Sequence, residues 1–139
     1  MLYVAEILFI NGKDSDNQTR TNLKCAKGVI HKVEIVFPQG CANLVNVQLY
    51  LNEHPILPST QGQKLKGNDE TIIIPEFIEL ENSNNIITIR GWNEDDIYDH
   101  TVLVRIYVLP KTILMNTGIA EGFVTALSSI LKTPTFPGG

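Results

Sequence analysis

Glu94, Asp95, Asp96, Asp99 and His100 fall within seven residues, the densest group of reactive side chains in the sequence. Three chemistries use such groups. Several carboxylates on one loop can hold a hard cation such as calcium at about 2.3–2.6 Å. Two carboxylates in unlike environments can divide acid and base roles between them. A glycosidase pair needs its carboxyl groups roughly 5–9.5 Å apart across a sugar cleft, and such pairs normally come from different strands. The spacing therefore disfavours catalysis and leaves Glu94, Asp95, Asp96 and Asp99 as weak metal candidates. A solvated loop, with Asn93 or Asp96 bonding the backbone, fits it better. Trp92 and Tyr98 stand beside the acids. A tryptophan near acids and a tyrosine can stack on a sugar ring, so Trp92, Tyr98 and His100 are candidate glycan or surface contacts. The alternative for Trp92 is a place in the core.

Other reactive motifs are absent from the sequence. His31, His54 and His100 are isolated, no GxSxG is present, and neither cysteine has a neighbouring histidine. Residues 14–17, DSDN, begin like a calcium loop but lack its glycine and closing glutamate. Residues 59–70, STQGQKLKGNDE, have neither phosphate-cradle spacing. No CxxC or HxxxH spacing suggests zinc. The expectation is a non-enzyme without a cofactor. Asn17-Gln18-Thr19 is a glycosylation sequon that matters only in a secretory compartment. Cys25 and Cys41 bracket an extended stretch of about 33 Å, too long for a bridge needing Cα atoms roughly 4.4–6.8 Å apart. Two free thiols are expected. A net charge of −4 with no run of Lys or Arg disfavours nucleic acid and anionic membrane as partners.

The elements that would position these residues are strands. Residues 86–110, IITIRGWNEDDIYDHTVLVRIYVLP, hold two β-branched runs around the polar stretch 93–100. They read as a central hairpin, with Trp92 and His100 fixing the ends of its loop. Residues 29–37 alternate, placing Val29, His31, Val33, Ile35 and Phe37 on one face and Ile30, Lys32, Glu34 and Val36 on the other. On that reading His31 is a buried histidine bonded to a backbone carbonyl. Residues 44–51 put Val45, Val47, Leu49 and Leu51 inward. Residues 71–75 and 77–80 read as two short strands separated by Pro75-Glu76, and residues 13–22 as a mobile polar loop. Seven or eight short strands with turn signals between them describe an all-β chain, an antiparallel β-sandwich or jelly roll, over residues 1–110.

Both ends look suited to reach a neighbour. Residues 2–10 form a strand apolar on both faces apart from Glu6, which makes Leu2, Val4, Ile7 and Phe9 candidate inter-subunit contacts. They lack a basic region and a cleavage site, so a signal peptide is not expected. In residues 111–139, Ile119, Phe123, Leu127 and Ile130 recur at helical spacing behind Asn116-Thr117-Gly118. One C-terminal amphipathic helix is predicted there, then an extended tail with Phe136, belonging to the same domain or acting as an inter-subunit arm. The apolar helix residues and Phe136 join the candidate contacts. Intramolecular closure of the sandwich is the competing use of the same segments.

Residues 28–110 resemble a loose group of uncharacterised small proteins encoded with virion structural genes of tailed phages and in environmental viral sequences. The resemblance lies in Gly28-Val29-Ile30-His31-Lys32, Phe37-Pro38-Gln39-Gly40, Leu44-Val45 with Val47, and Glu53-His54 with Pro58. It continues through Gly67-Asn68-Asp69-Glu70-Thr71 and Gly91-Trp92-Asn93-Glu94-Asp95-Asp96, Tyr98 and His100-Thr101-Val102. It implies a structural β-domain in an ordered assembly, such as a capsid decoration protein or a fibre subunit. The expected partners are copies of the chain or other virion subunits. The expected location is a virion or extracellular assembly, after synthesis in a cytoplasm. A carbohydrate-binding module using Trp92, Tyr98 and the 93–100 loop is the alternative.

Overall fold

The computed structural model of the chain describes residues 1–112. The expected helix with Ile119, Phe123, Leu127 and Ile130, and the tail with Phe136, lie outside the described residues. Eight strands account for most of the rest: β1 (Leu2–Phe9), β2 (Thr19–Cys25), β3 (Gly28–Phe37), β4 (Val45–Leu51), β5 (His54–Leu57), β6 (Glu70–Leu80), β7 (Asn85–Asn93) and β8 (His100–Leu109). They form two four-stranded antiparallel sheets, ordered β1-β8-β3-β6 and β2-β7-β4-β5. The pairs β1/β8, β2/β7, β3/β6 and β4/β5 are those of one long hairpin that has been rolled up, with β8/β3 and β7/β4 joining the halves. That is the strand order of a jelly roll.

Period-2 alternation fills the space between the sheets. β8 sends Val102, Val104, Ile106 and Val108 inward, β4 sends Val45, Val47 and Leu49, and β7 sends Ile87 and Ile89, all fully buried. Phe9, Phe37 and Leu80 close the core. Cys25 and Cys41 are buried and unlinked, as their separation predicts. Burial pushes the Cys25 thiol up to about 11, and burial with the Asp95 charge raises that of Cys41. Both stay protonated and unreactive at neutral pH.

Several local readings change. The two runs around 93–100 are not a hairpin: β7 lies in one sheet and β8 in the other, so the acidic stretch is a crossover between sheets. β2 replaces the second half of the expected loop. Its outward Arg20, Asn22 and Lys24 are exposed and its inward Thr19, Thr21 and Leu23 only half-buried, a polar edge strand that leaves little apolar signal. β6 is one strand, because at the sheet edge Pro75 removes no needed ladder donor. In β3 the register shifts between Ile30 and Lys32 against both neighbours, and such an irregularity swaps the faces. Ile30 therefore joins Val33, Ile35 and Phe37 in the core, while Val29 packs with Leu109 outside it. His31 is a correction of the same origin. It is half-buried edge-on to the Tyr107 ring at 6.0 Å, and desolvation, Lys32 and the chain's amino terminus lower its pKa.

Candidate functional site

The 93–100 crossover is held from within by its own side chains. Asn93, fully buried, donates from Nδ2 to the carbonyls of Phe9 (3.1 Å) and Tyr98 (2.8 Å), and its Oδ1 accepts the Asp95 amide at 2.9 Å. Asp95 Oδ1 then accepts the amides of Ile97 (2.9 Å) and Tyr98 (3.2 Å), while its Oδ2 meets His100 Nε2 at 2.9 Å. Asp99 Oδ1 takes the backbone and side-chain N–H groups of Asn11, tying the crossover to the turn after β1. Glu94 Oε1 accepts the Trp92 indole N–H at 3.1 Å. An acid cluster in the sequence has become a set of separately committed acceptors.

Those commitments weigh against the metal reading. Glu94, Asp95 and Asp99 are each spent on a different donor, which leaves Asp96 to stand for the cluster. Among the described residues no group of three or more His, Cys, Asp or Glu side chains is placed to hold a metal ion. Asp95 is instead a structural anion. The Ile97 amide first, then His100 and the Tyr98 amide, hold its carboxyl below the ordinary 3.8. A depressed carboxylate contributes stability that is present above its unfolded value and lost as pH falls through the folded one. Wild-type protein should therefore lose urea resistance between pH 5 and pH 3 more steeply than Asp95→Asn. Equal slopes for the two in urea titrations across that range would remove Asp95 from the acid transition.

The candidate sugar contacts divide. Tyr98 is 65% exposed, but Trp92 is 3% exposed and His100 8%. Trp92 does not lie in the core either. It alternates with inward Ile89, Gly91 and Asn93 and so stands on the outer face of its sheet, with the Lys64 ammonium 5.3 Å from the ring centroid. Val47 and Leu65 exchange backbone hydrogen bonds at 2.9 Å, which sets Leu65 alongside β4 as an antiparallel bridge next to Lys64. The indole face is closed to a stacking sugar, and His100 is spent on Asp95. Both are corrected from surface contacts to structural ones.

The same outer face carries a group that the sequence did not reveal. Arg90 stacks on Tyr50, 3.9 Å from the ring centroid, and pairs with Glu53 at 2.8 Å. Glu53 has φ 71° and Asn52 φ 46°, so this ion pair also braces the left-handed β4–β5 turn. Only the cross-strand register brings residues 50, 53 and 90 together.

The sheet β1-β8-β3-β6 presents a second surface. Across its centre Tyr107 donates to Glu34, Arg105 lies 3.8 Å from the same carboxylate, and Lys32 sits 4.2 Å over the Tyr107 ring. Apolar side chains flank this polar row. On the β1 side Leu2, Val4 and Leu8 are 51%, 48% and 52% exposed; on the β6 side Ile73 is 59% and Phe77 38% exposed. The expected contacts on β1 therefore split. Leu2 and Val4 face out, while Ile7 (3%) and Phe9 (0%) are core residues, because alternation gives β1 one buried face.

The fold and these surfaces define a jelly-roll sandwich domain with an acceptor-locked crossover and one sheet whose outer face is apolar at both sides. No known protein family matches the chain, and no curated protein is significantly similar to it.

Proposed function

We propose that this chain is a non-enzymatic structural subunit of an ordered assembly, of the kind found as capsid decoration proteins or fibre subunits in virions, and that β1 is its association element. The observation that carries this reading is how differently the four sheet edges are treated. β5 is four residues long and contains Pro55, β6 has Pro75 at its middle, and β2 displays Arg20 and Lys24. These are the devices that keep edges from pairing. β1 has eight residues without proline or lysine, stands at the end of its sheet, and among the described residues pairs only with β8.

Antiparallel pairing of β1 with β1 of a second copy would satisfy its outward backbone groups by strand addition and generate a two-fold interface. It would also cover Leu2, Val4 and Leu8, worth roughly 1 kcal/mol each for half a side chain buried. Jelly rolls serve in viral capsids and in lectins, so the fold supports the assembly reading by analogy. Light scattering should show concentration-dependent association of wild-type protein, shifted to monomer in Val4→Lys/Leu8→Lys. Those positions are about half exposed, so the sandwich itself tolerates the change. A wild-type protein that stays monomeric at high micromolar concentration would overturn the proposal.

A further inference from the structure

Strand β1 also fixes how two copies of it can meet, an inference that rests on the assembly reading above. Met1 and Val108 exchange both of their backbone hydrogen bonds. From there β1 and β8 stay in step, from Leu2 opposite Tyr107 to Phe9 opposite His100. In an antiparallel ladder such exchanging pairs alternate with pairs whose backbone groups point away. Tyr3, Ala5, Ile7 and Phe9 therefore spend their N–H and C=O groups on β8. Leu2, Val4, Glu6 and Leu8 turn theirs to the open edge, and the same four side chains are exposed on the outer face.

That parity restricts the registers open to a two-fold β1–β1 pair. Full overlap, with Leu2 opposite Phe9, would set edge-facing residues against residues turned to β8, and outer side chains against core ones. The registers that keep the faces matched differ in their centre. Centred on Glu6, the strands oppose two like charges, which is destabilising, and leave Leu2 unpaired. Centred on Val4, they leave Leu8 unpaired. Centred on Ala5, every edge-facing residue pairs, Leu2 with Leu8 and Val4 with Glu6, for about eight hydrogen bonds. We propose that a second copy docks in this last register, joining two four-stranded sheets into one with the two-fold axis between the two Ala5 residues.

Charge agrees with that choice. Glu6 is exposed and joins none of the ion pairs among the described residues. In this register it faces Val4 of the second copy, whose neighbour on its own β8 is Arg105. Glu6 then lies two strand spacings from that arginine, roughly 10 Å between Cα atoms, within the combined reach of the two side chains. Arg105 is 34% exposed, with its guanidinium 3.8 Å from Glu34, and has donors left for a second carboxylate.

Disulfide trapping in the full-length chain, with Glu6 kept in place, tests the register. Leu2, Val4 and Leu8 are about half exposed, so a cysteine at each leaves the sandwich intact. Cys25 and Cys41 are buried and do not compete under native conditions. Chains carrying Leu2→Cys and Leu8→Cys would be mixed and mildly oxidised, with interchain links followed on non-reducing gels and by intact mass. This pair should link about tenfold faster than two controls, because only facing residues come within disulfide range. The controls are Val4→Cys mixed with Leu8→Cys, which face each other in the Glu6-centred register, and Val4→Cys alone, which faces itself in the Val4-centred one. In the Ala5-centred register both are offset, roughly 7–8 Å apart. Faster links in either control would overturn the register while leaving β1 pairing in place. Association by light scattering without links from any of the three would move the interface off β1 and overturn it as well. Wild-type protein that stays monomeric would overturn the assembly reading and this inference with it.

Discussion

Gly91→Ala is expected to cost about 3 kcal/mol, the upper end of what overpacking a core usually costs. Gly91 faces the core from β7, where the ring of Phe9 lies on its backbone. A methyl group there would fall 2.4 Å from the Asn46 carbonyl oxygen and 2.7 and 2.9 Å from Cε1 and Cζ of Phe9. Neither neighbour can step aside cheaply. Asn46 belongs to β4, which is laddered to β7 along its length, and the Phe9 backbone is held by β8 and by Asn93. Against a typical total of 5–15 kcal/mol, this loss should lower the melting temperature by roughly 10 °C. Thermal melts followed by circular dichroism measure it. A fall of only a degree or two would mean that the two sheets can separate locally, and that Phe9 is not the fixed wedge described above.

Asn93→Ala should cost a similar amount, about 3 kcal/mol, for a polar reason. The change leaves two carbonyls and one amide without their partner, and each buried group so orphaned costs roughly 1 kcal/mol or more. The effect should be local as well as global. Residues 94–99 lose one of the links that join the end of β1 to the crossover, so amide exchange there should accelerate more than in the centres of β3 and β8. Asn93→Asp keeps the acceptor for the Asp95 amide but replaces both donated bonds with a charge facing two carbonyl oxygens. It should be no better than alanine. Urea titrations give the stability, and hydrogen exchange gives its distribution. A destabilised Asn93→Ala with unchanged exchange at 94–99 would separate Asn93 from the crossover.

Both predictions concern residues of the stretch Gly91-Trp92-Asn93, and both depend on facts the sequence holds only in part. The strand at 86–93 is legible, whereas Asn93 reads as the start of the polar loop and the inward position of Gly91 and Asn93 comes only from the structure. What the chain places on them is not legible, since Phe9 lies more than eighty positions away. The same is true of the crossover. Its acids are visible in sequence as a cluster, but their allocation to separate acceptor roles depends on which amides the turn presents. Trp92 shows the limit most clearly: it stands on the outer face yet is 3% exposed, with Lys64 from a distant part of the chain beside its ring.

The sequence by itself determined the all-β class of the described residues, the two free thiols, the inward set of β4, and most turns. These follow from periodicity and chain length, which act within a few residues. Tertiary structure decided the rest. It alone placed β7 and β8 in different sheets, swapped the faces of β3 at the register shift, revealed β2, and kept β6 whole across Pro75. Each of these depends on which strand lies alongside, and a strand's partner is fixed by the packing of the whole sandwich rather than by its own residues.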